Sequence, residues 1–395
     1  MKVTAYISAW FAGMGRVFRR EFRLVTKDVG VLLFFVFLPL VYPVIYTIIY
    51  NPEVVRQIRI AVVDESMSAA SRDLIRKVSA QPAFDIYAIE PNMTDARRLM
   101  AEGKVFGIMQ ITPDYGKALG RGEQAHVEFY SDMSLLLRYR TFVAALTDLQ
   151  IEMISVVTGE KIEATGLASM AGGSGGLPVK SESNFLGDTE QGFASFVIPG
   201  IVILILQQSM ILGITLLGGT SRERRRRYGY DPLAVPGVPV SATVWGKALC
   251  YTVFYIPLTV YILRFIPEMF NLPHYGNPVD YYLFIMPMLL ASAFMGLALN
   301  YFMKERESAF IIIVFTSVVF LFLSGLTWPR YAMSRLWLWL GDCVPAVWGV
   351  EGFIRINSNA ATLPEVAGDY TALWILAAVY MLLACLVTRL TARKQ

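Results

Sequence analysis

The stretch VGVLLFFVFLPLVYPVIYTIIY, Val29–Tyr50, contains no charged residue. A helix needs about 20 apolar residues to cross a hydrocarbon core roughly 30 Å thick, so this run reads as a membrane span. On its C-terminal side lies a polar insert, residues 51–191. Five further apolar runs follow at Gly192–Leu217, Ala242–Phe265, Tyr281–Met303, Ser308–Trp328 and Thr371–Leu390. The expected fold class is a polytopic α-helical membrane protein: six transmembrane helices plus an extracytoplasmic α/β domain inserted between spans one and two. Composition agrees, since the 395 residues are 55% hydrophobic with a mean hydropathy of +0.50, high for a soluble chain.

Charge placement orients the spans. With the N-terminus inside, Lys2, Arg16, Arg19, Arg20, Arg23 and Lys27 are cytoplasmic, as are Arg222 and Arg224–Arg227, Lys304 and Arg306, and Arg389, Arg393 and Lys394. The short outer loops hold only Arg330, Arg335 and Arg355. The positive-inside rule then puts both ends in the cytoplasm and the insert outside. The first run starts too late and is too long for a cleavable signal peptide, and reads as a signal anchor. Cys250 and Cys385 fall within spans and Cys343 outside, which implies no intramolecular disulfide. His126 and His274 alone make no clustered metal site.

Around this frame the chain divides into an amphipathic helix (1–28), the first span (29–50), an α/β domain with a long C-terminal helix (51–158), a flexible linker (159–191) and a five-span region (192–395). In residues 13–27 an apolar stripe of Met14, Val17, Phe18, Phe22 and Val25 runs beside Arg16, Arg19, Arg20 and Arg23. That pattern suits a basic helix on the inner membrane surface. The insert alternates strands (Ile58–Asp64, Phe84–Ala88, Val105–Ile111, Val127–Tyr130) with helices (Ala69–Ser79, one capped by Thr94, and one whose first turn holds Pro113). Leu135, Tyr139, Phe142, Leu146, Leu149, Met153 and Val156 form a heptad seam that can pair with a second copy or partner, or pack on its own sheet. Gly172–Gly176 breaks regular structure.

The span interiors hold no acidic or basic residue, which argues against ion-coupled transport. No phosphate-binding glycine loop is present either, since Gly246-Lys247 is followed by Ala248. Uphill transport would need energy from another chain. Gln207 and Gln208, mid-span, are candidates to line a translocation path or to bond a neighbouring helix. Pro199, Pro257 and Pro287 can kink their helices.

Three segments carry a resemblance. Ser221-Arg222-Glu223-Arg224-Arg225-Arg226-Arg227-Tyr228-Gly229 leads into Asp231-Pro232-Leu233-Ala234-Val235-Pro236 and Gly246-Lys247. Ser324-Gly325-Leu326-Thr327-Trp328-Pro329 is followed by Pro345 and by Arg355-Ile356-Asn357. Within the insert stand Ala61-Val62-Val63-Asp64, Gly103–Gly107 and Ile111–Tyr115. In this order they resemble the type-2 ABC transporter permeases, exporter membrane subunits with a large extracytoplasmic domain after the first span. The usual second Glu of the charged segment is arginine here, and no Thr follows Gly229.

The resemblance implies the permease of an ATP-driven exporter in a bacterial inner membrane, performing no chemistry itself. ATP and Mg would be held by a separate ABC ATPase subunit. Its contact would comprise Arg19, Arg20, Glu223, Arg224, Arg225, Arg226, Arg227, Lys304 and Arg306. A short helix over Leu233–Pro236 would follow the charged segment on the cytoplasmic side, and a re-entrant outer loop near 328–360 would involve Gly325, Trp328, Pro329, Pro345 and Arg355. A second permease copy or paralogue and a periplasmic adaptor of the membrane fusion type are the implied partners, alongside the lipid bilayer and no nucleic acid. A non-transporting scaffold or accessory of a cell-surface assembly or secretion system shares the same plan, and would need no ATPase contact.

Overall fold

The computed structural model describes residues 2–50, 56–133, 136–164 and 192–393; the linker expected over 159–191 lies from residue 165 on outside them. The chain separates into two compact units, Val54–Asn184 and Met1–Glu53 with Phe185–Gln395.

Helix α1 (Lys2–Lys27) runs longer than the amphipathic pattern suggests. Asp28 ends it and caps the next helix, its carboxylate accepting from the backbone N–H of Val31 at 3.1 Å. Helix α2 (Val29–Tyr50) is the first candidate span. It loosens into a π-helical turn at Leu33–Phe37, just before Pro39 and Pro43 remove two backbone donors.

The insert folds as β1 (Ile58–Asp64), α3 (Ala69–Ala80), β2 (Phe84–Glu90), α4 (Met93–Ala101), β3 (Gly107–Ile111), α5 (Tyr115–Arg121), β4 (Val127–Ser131) and α6 (Leu136–Ala164). The sheet order is β2-β1-β3-β4, with β4 antiparallel to β3 and the other pairs parallel. Strand β1 is central and apolar on both faces. Ile58, Ile60 and Val62 pack with Leu74, Val78, Phe142 and Leu149, while Ala61 and Val63 pack with Ala96 and Leu99 on the other face. Such two-sided burial is what a parallel strand covered by helices requires. The heptad seam is thereby explained: Phe142 and Leu149 are buried, and Leu146 and Met153 half-buried, against their own sheet. Leu135, and the side chain of Val156, lie outside the described set. Helix α4 is capped by Asn92, not Thr94, because the Asn92 carbonyl accepts from Asp95 N at 2.9 Å. Pro113 precedes α5 and does not enter its first turn.

Beyond the insert come α7 (Phe193–Tyr228), α8 (Val240–Met269), α9 (Pro278–Leu299), α10 (Ser308–Leu323), α11 (Arg335–Asp342), α12 (Pro345–Asn359) and α13 (Ala367–Arg393). Helix α7 is the axis of this unit, with Ile203, Leu206, Met210, Ile214 and Leu216 buried in the common core. At 36 residues it is roughly 54 Å long, well beyond a bilayer core. The arginine segment expected as a loop is the last turns of this helix, ended by Gly229 with φ +77°. The basic residues there also complement the helix dipole. Leu233–Pro236 forms turns and no helix.

Five helices, α2, α7, α8, α9 and the segment Leu363–Thr391, are long and apolar enough to cross a membrane. The sixth, α10, is apolar but has 16 residues. It stops short of Trp328 because Gly325 takes φ +88°, a conformation costly for any residue with a Cβ.

Candidate functional site

Helix α1 meets α8 along a stripe at intervals of four: Gly13, Val17, Glu21 and Val25 are buried, whereas Phe22 is exposed and stacks on Phe254 with ring centroids 4.8 Å apart. The apolar stripe read from the sequence is thus rotated so that an acid lies at its centre. Gly246 lets the helices approach, since a Cβ there would stand 2.7 Å from the carbonyl oxygen of Met14. Two turns on from Met14, Glu21 is only 1% exposed. Its carboxylate receives Arg20 Nη1 at 2.8 Å, Lys247 Nζ at 3.2 Å and the Tyr251 hydroxyl at 2.9 Å. Burial alone would raise its pKa, but Lys247 and Arg20 outweigh burial and hold it below the ordinary carboxylate value. The Gly-Lys pair therefore has a structural reading: glycine admits α1 and lysine neutralises its buried acid.

Arg20 extends the network. Its Nη2 donates to Asp231 Oδ2 at 2.9 Å, and Asp231 also accepts from Ser221 Oγ at 2.7 Å, Arg224 Nε at 3.0 Å and Leu233 N at 3.1 Å. Burial pushes the Asp231 pKa up, and the Ser221 and Arg224 hydrogen bonds more than reverse it, so it too lies low. A second node centres on Arg306, in the turn between α9 and α10. Its guanidinium grips Asp28 through two bonds of 2.7 and 2.6 Å, and its backbone N–H donates to Glu223 at 2.6 Å. The Arg306 bonds lower the Asp28 pKa, and Asp28 raises that of Arg306. The turn sits directly on α7 at Gly219, where a Cβ would come within 2.7 Å of the Glu305 carbonyl oxygen. Arg226 adds a bridge to Glu305 at 2.8 Å, solvent-exposed on both sides.

The residues read as an ATPase contact therefore divide. Arg20, Arg224 and Arg306 point inward and hold α1, α7, the 229–239 turn and the 304–307 turn together. Arg19, Arg227 and Lys304 are exposed and make no ion pair among the described residues, while Glu223 and Arg226 are exposed and bond only the 305–306 turn. Arg225 is half-buried and lines a cavity beside the network.

At mid-bundle, Gln207 is fully buried. Its side-chain oxygen accepts from Ala346 N at 2.7 Å and Ser292 Oγ at 3.3 Å. It thus caps α12, whose N-cap Val344 has no side chain able to do so. Gln207 is used between helices. Gln208, one residue on, has both amide atoms shielded and without a hydrogen-bond partner. Helix α12 starts at the Gln207 level and runs back until Asn357 donates to the Pro273 carbonyl at 3.1 Å, so it traverses only part of the bundle, with Pro345 at its first turn.

The motif residues around it are structural. Pro329 caps a 3-10 turn, Arg330–Ala332. Arg330 pairs with Asp342 and, at 2.6 Å, with Glu351, and its guanidinium lies 5.3 Å from the Trp348 ring centre. Arg355 pairs with Asp369. Trp328, Trp337 and Trp339 are exposed, as interfacial anchors would be. After Arg355-Ile356-Asn357, Ala360 adopts φ +54° and ends α12.

Glu21, Asp28 and Asp231 were not singled out as site residues from the sequence. Two signals were present: an acid at the four-residue spacing of a buried stripe, and an Asp immediately before an apolar run.

Long apolar helices around a buried axis, with an α/β insert after the first, define a multi-pass membrane protein whose charged residues gather at the helix ends. The chain matches the family model described as ABC-2 family transporter protein over residues 29–386, and it belongs to that family. It is therefore an ABC transporter permease, a transport membrane component and not itself catalytic, and the family implies an ABC ATPase partner. No curated protein matches the chain.

Proposed function

We propose that the chain is the permease subunit of an ATP-driven exporter in a bacterial inner membrane, coupled to a separate ATPase subunit that holds ATP and Mg. In this reading six spans, α2, α7, α8, α9, α10 and α13, cross the membrane, with both termini in the cytoplasm and the insert outside. Two copies, or a copy and a paralogue, enclose the path, and the insert meets a periplasmic adaptor. The short α10 crosses with help from the aromatic residues beyond Ser324.

The observation that carries this reading is the pair of nodes at Glu21–Asp231 and Asp28–Arg306. They tie α1, the roots of α2, α7 and α8, and the 304–307 turn into one body on the basic side. A push on any of these segments is transmitted to the spans rather than absorbed by loop bending. Arg19, Glu223, Arg226, Arg227 and Lys304 are the groups this body presents to an ATPase. Gln208, whose two unsatisfied amide atoms are shielded within the chain, is the residue proposed to be uncovered along the path when the helices shift.

The test separates the outward cations from the inward ones. Replacing Arg19, Arg226 and Arg227 with Ala, while keeping Arg20, Arg224 and Arg306, is expected to abolish co-purification of the ATPase subunit and leave the permease folded. Orientation is checked by cysteine labelling from either side. Full co-purification and ATPase activity from correctly oriented triple variant would refute the assigned contact.

A further inference from the structure

Beside the ion-pair network lies a cavity of about 280 Å³ whose lining includes four cations, Arg20, Arg222, Arg225 and Lys247, and a single acid, Asp231. That acid is already engaged by Arg20, Ser221, Arg224 and the Leu233 N–H. Arg222 and Arg225 are half-buried and form no ion pair among the described residues. The Nε of Arg20 is shielded from solvent with no acceptor. Half-buried guanidinium groups without acceptors are costly, and convergent arginines suit the several oxygens of a phosphate.

The rest of the wall is mixed: apolar side chains, among them Val17, Val244, Leu297 and Val387, stand beside Ser221, Thr243, Asn300, Thr388 and Thr391. A neighbouring groove of about 410 Å³ shares Val240 with this cavity; Leu382, Cys385 and Leu386 line it toward the helix middle, and Tyr6, Ser241 and Arg389 complete it. The two are arranged in order along α13. Val387, Thr388 and Thr391 touch the cationic cavity, whereas the groove continues back to Leu382, about 7 Å nearer the helix middle than Val387 at 1.5 Å per residue. Leu382 and Leu386 are exposed on the same helix. The charge thus sits at the end of a membrane helix and the apolar groove runs toward its centre.

We propose that this composite site binds an anionic phospholipid, with its phosphate on Arg222, Arg225 and Arg20 and an acyl chain along Leu382 and Leu386. A carboxylate from a partner protein would satisfy the arginines and leave the groove unexplained. Basic pockets between membrane helices are suited to anionic headgroups. The site does not depend on what the permease transports.

The experiment is native mass spectrometry of the full chain in detergent, titrated separately with phosphatidylglycerol, phosphatidylcholine and soluble glycerol phosphate. Wild type is expected to retain phosphatidylglycerol over phosphatidylcholine and to bind glycerol phosphate far more weakly. The double variant R222Q/R225Q is expected to lose retention by about thirtyfold, from two cations at the membrane surface. Leu386→Trp, which narrows the groove, should weaken the lipid and spare glycerol phosphate, and Arg227→Gln should change neither. Equal retention of the two lipids, or wild-type retention by the double variant, overturns the proposal. Glycerol phosphate competing as well as the lipid would make this a free-phosphate site, and stoichiometric displacement of lipid by the ATPase subunit would assign the arginines to a protein carboxylate; either result overturns it. If the double variant fails to fold, the three wild-type titrations decide alone.

Discussion

The two ends of the helical unit both carry arginine–carboxylate pairs, but they connect the chain differently. At the basic end local pairs such as Arg20–Glu21 and Arg224–Asp231 are joined by partners far apart in sequence: Arg306 and Asp28 by 278 residues, Tyr251 and Glu21 by 230, Arg20 and Asp231 by 211. At the other end Arg330 reaches only 12 residues to Asp342 and 21 to Glu351, and Arg355 reaches 14 to Asp369. The first pattern joins separate helices into one body. The second braces a local turn so that α11 and α12 hold their place. Burial differs less: the Glu21 and Asp231 side chains are each 1% exposed and that of Asp369 is 7% exposed, although its partner Arg355 is 43% exposed.

The largest effect should come from cutting the long-range side at its most buried point. Glu21→Ala leaves Lys247 and Arg20 facing each other without their anion, and breaking a buried charge cluster in this way costs about 3–5 kcal/mol. Arg355→Ala removes a half-exposed guanidinium but leaves the buried Asp369 unpaired, and should cost less, about 1–3 kcal/mol. Thermal unfolding of both variants in the same detergent, followed by fluorescence-detected gel filtration, checks the order. Equal losses would remove the distinction between the two ends.

Asp28→Ala should come next, since it removes both the two-pronged Arg306 contact and the cap of α2. Charge-assisted bonds to a half-buried pair are worth about 1.5–3 kcal/mol. A double-mutant cycle with Arg306→Ala should show strong coupling, and simple additivity would mean that the turn is held by other contacts.

Acid should loosen the basic end. Glu21, Asp28 and Asp231 all have lowered pKa values in the fold. Their contribution is complete above the unfolded carboxylate range, about pH 4, and is lost as pH falls through the lower folded values. Stability is therefore expected to be level from neutral pH to about pH 5 and to drop below about pH 4. Glu21→Ala should flatten that drop, and an unchanged acid limb in the variant would exclude Glu21 as a contributor.

How far these features could be read from the sequence depends on what determines them. Spans are legible because they follow from composition over some 20 residues, and the strands of the insert because β1 is apolar on both faces. The arginine segment misleads: charge signals contact with water, but it does not signal a loop, and Arg222–Arg227 simply continue α7 until Gly229 stops it. Helix α10 misleads in the opposite sense, since the apolar run continues to Trp328 while Gly325 ends the helix earlier. The buried acids were hidden for another reason. Glu21 looks like one more charge on a basic helix until Lys247 and Tyr251 are brought beside it, and no local pattern encodes a partner more than two hundred residues away. Gln207 is intermediate, because its mid-span amide announced an interhelical bond but not that the recipient would be the N-terminus of α12.

The smallest expected effect tests the locally braced end. Ala360 holds φ +54° to close α12, and Ala361 N donates to the Arg355 carbonyl at 3.1 Å across that turn. A left-handed conformation costs a residue with a Cβ about 1–2 kcal/mol, and Gly would adopt it freely but lose more chain entropy on folding, by about 0.5–1 kcal/mol. Ala360→Gly should therefore stabilise the protein by roughly 0.5–1 kcal/mol. A rise of that size in unfolding temperature, together with unchanged ATPase-subunit binding, would place the alanine strain in the local turn alone. A loss of stability would mean that the alanine methyl packs more favourably than its backbone is strained, and that the turn after Asn357 is held by its side chains.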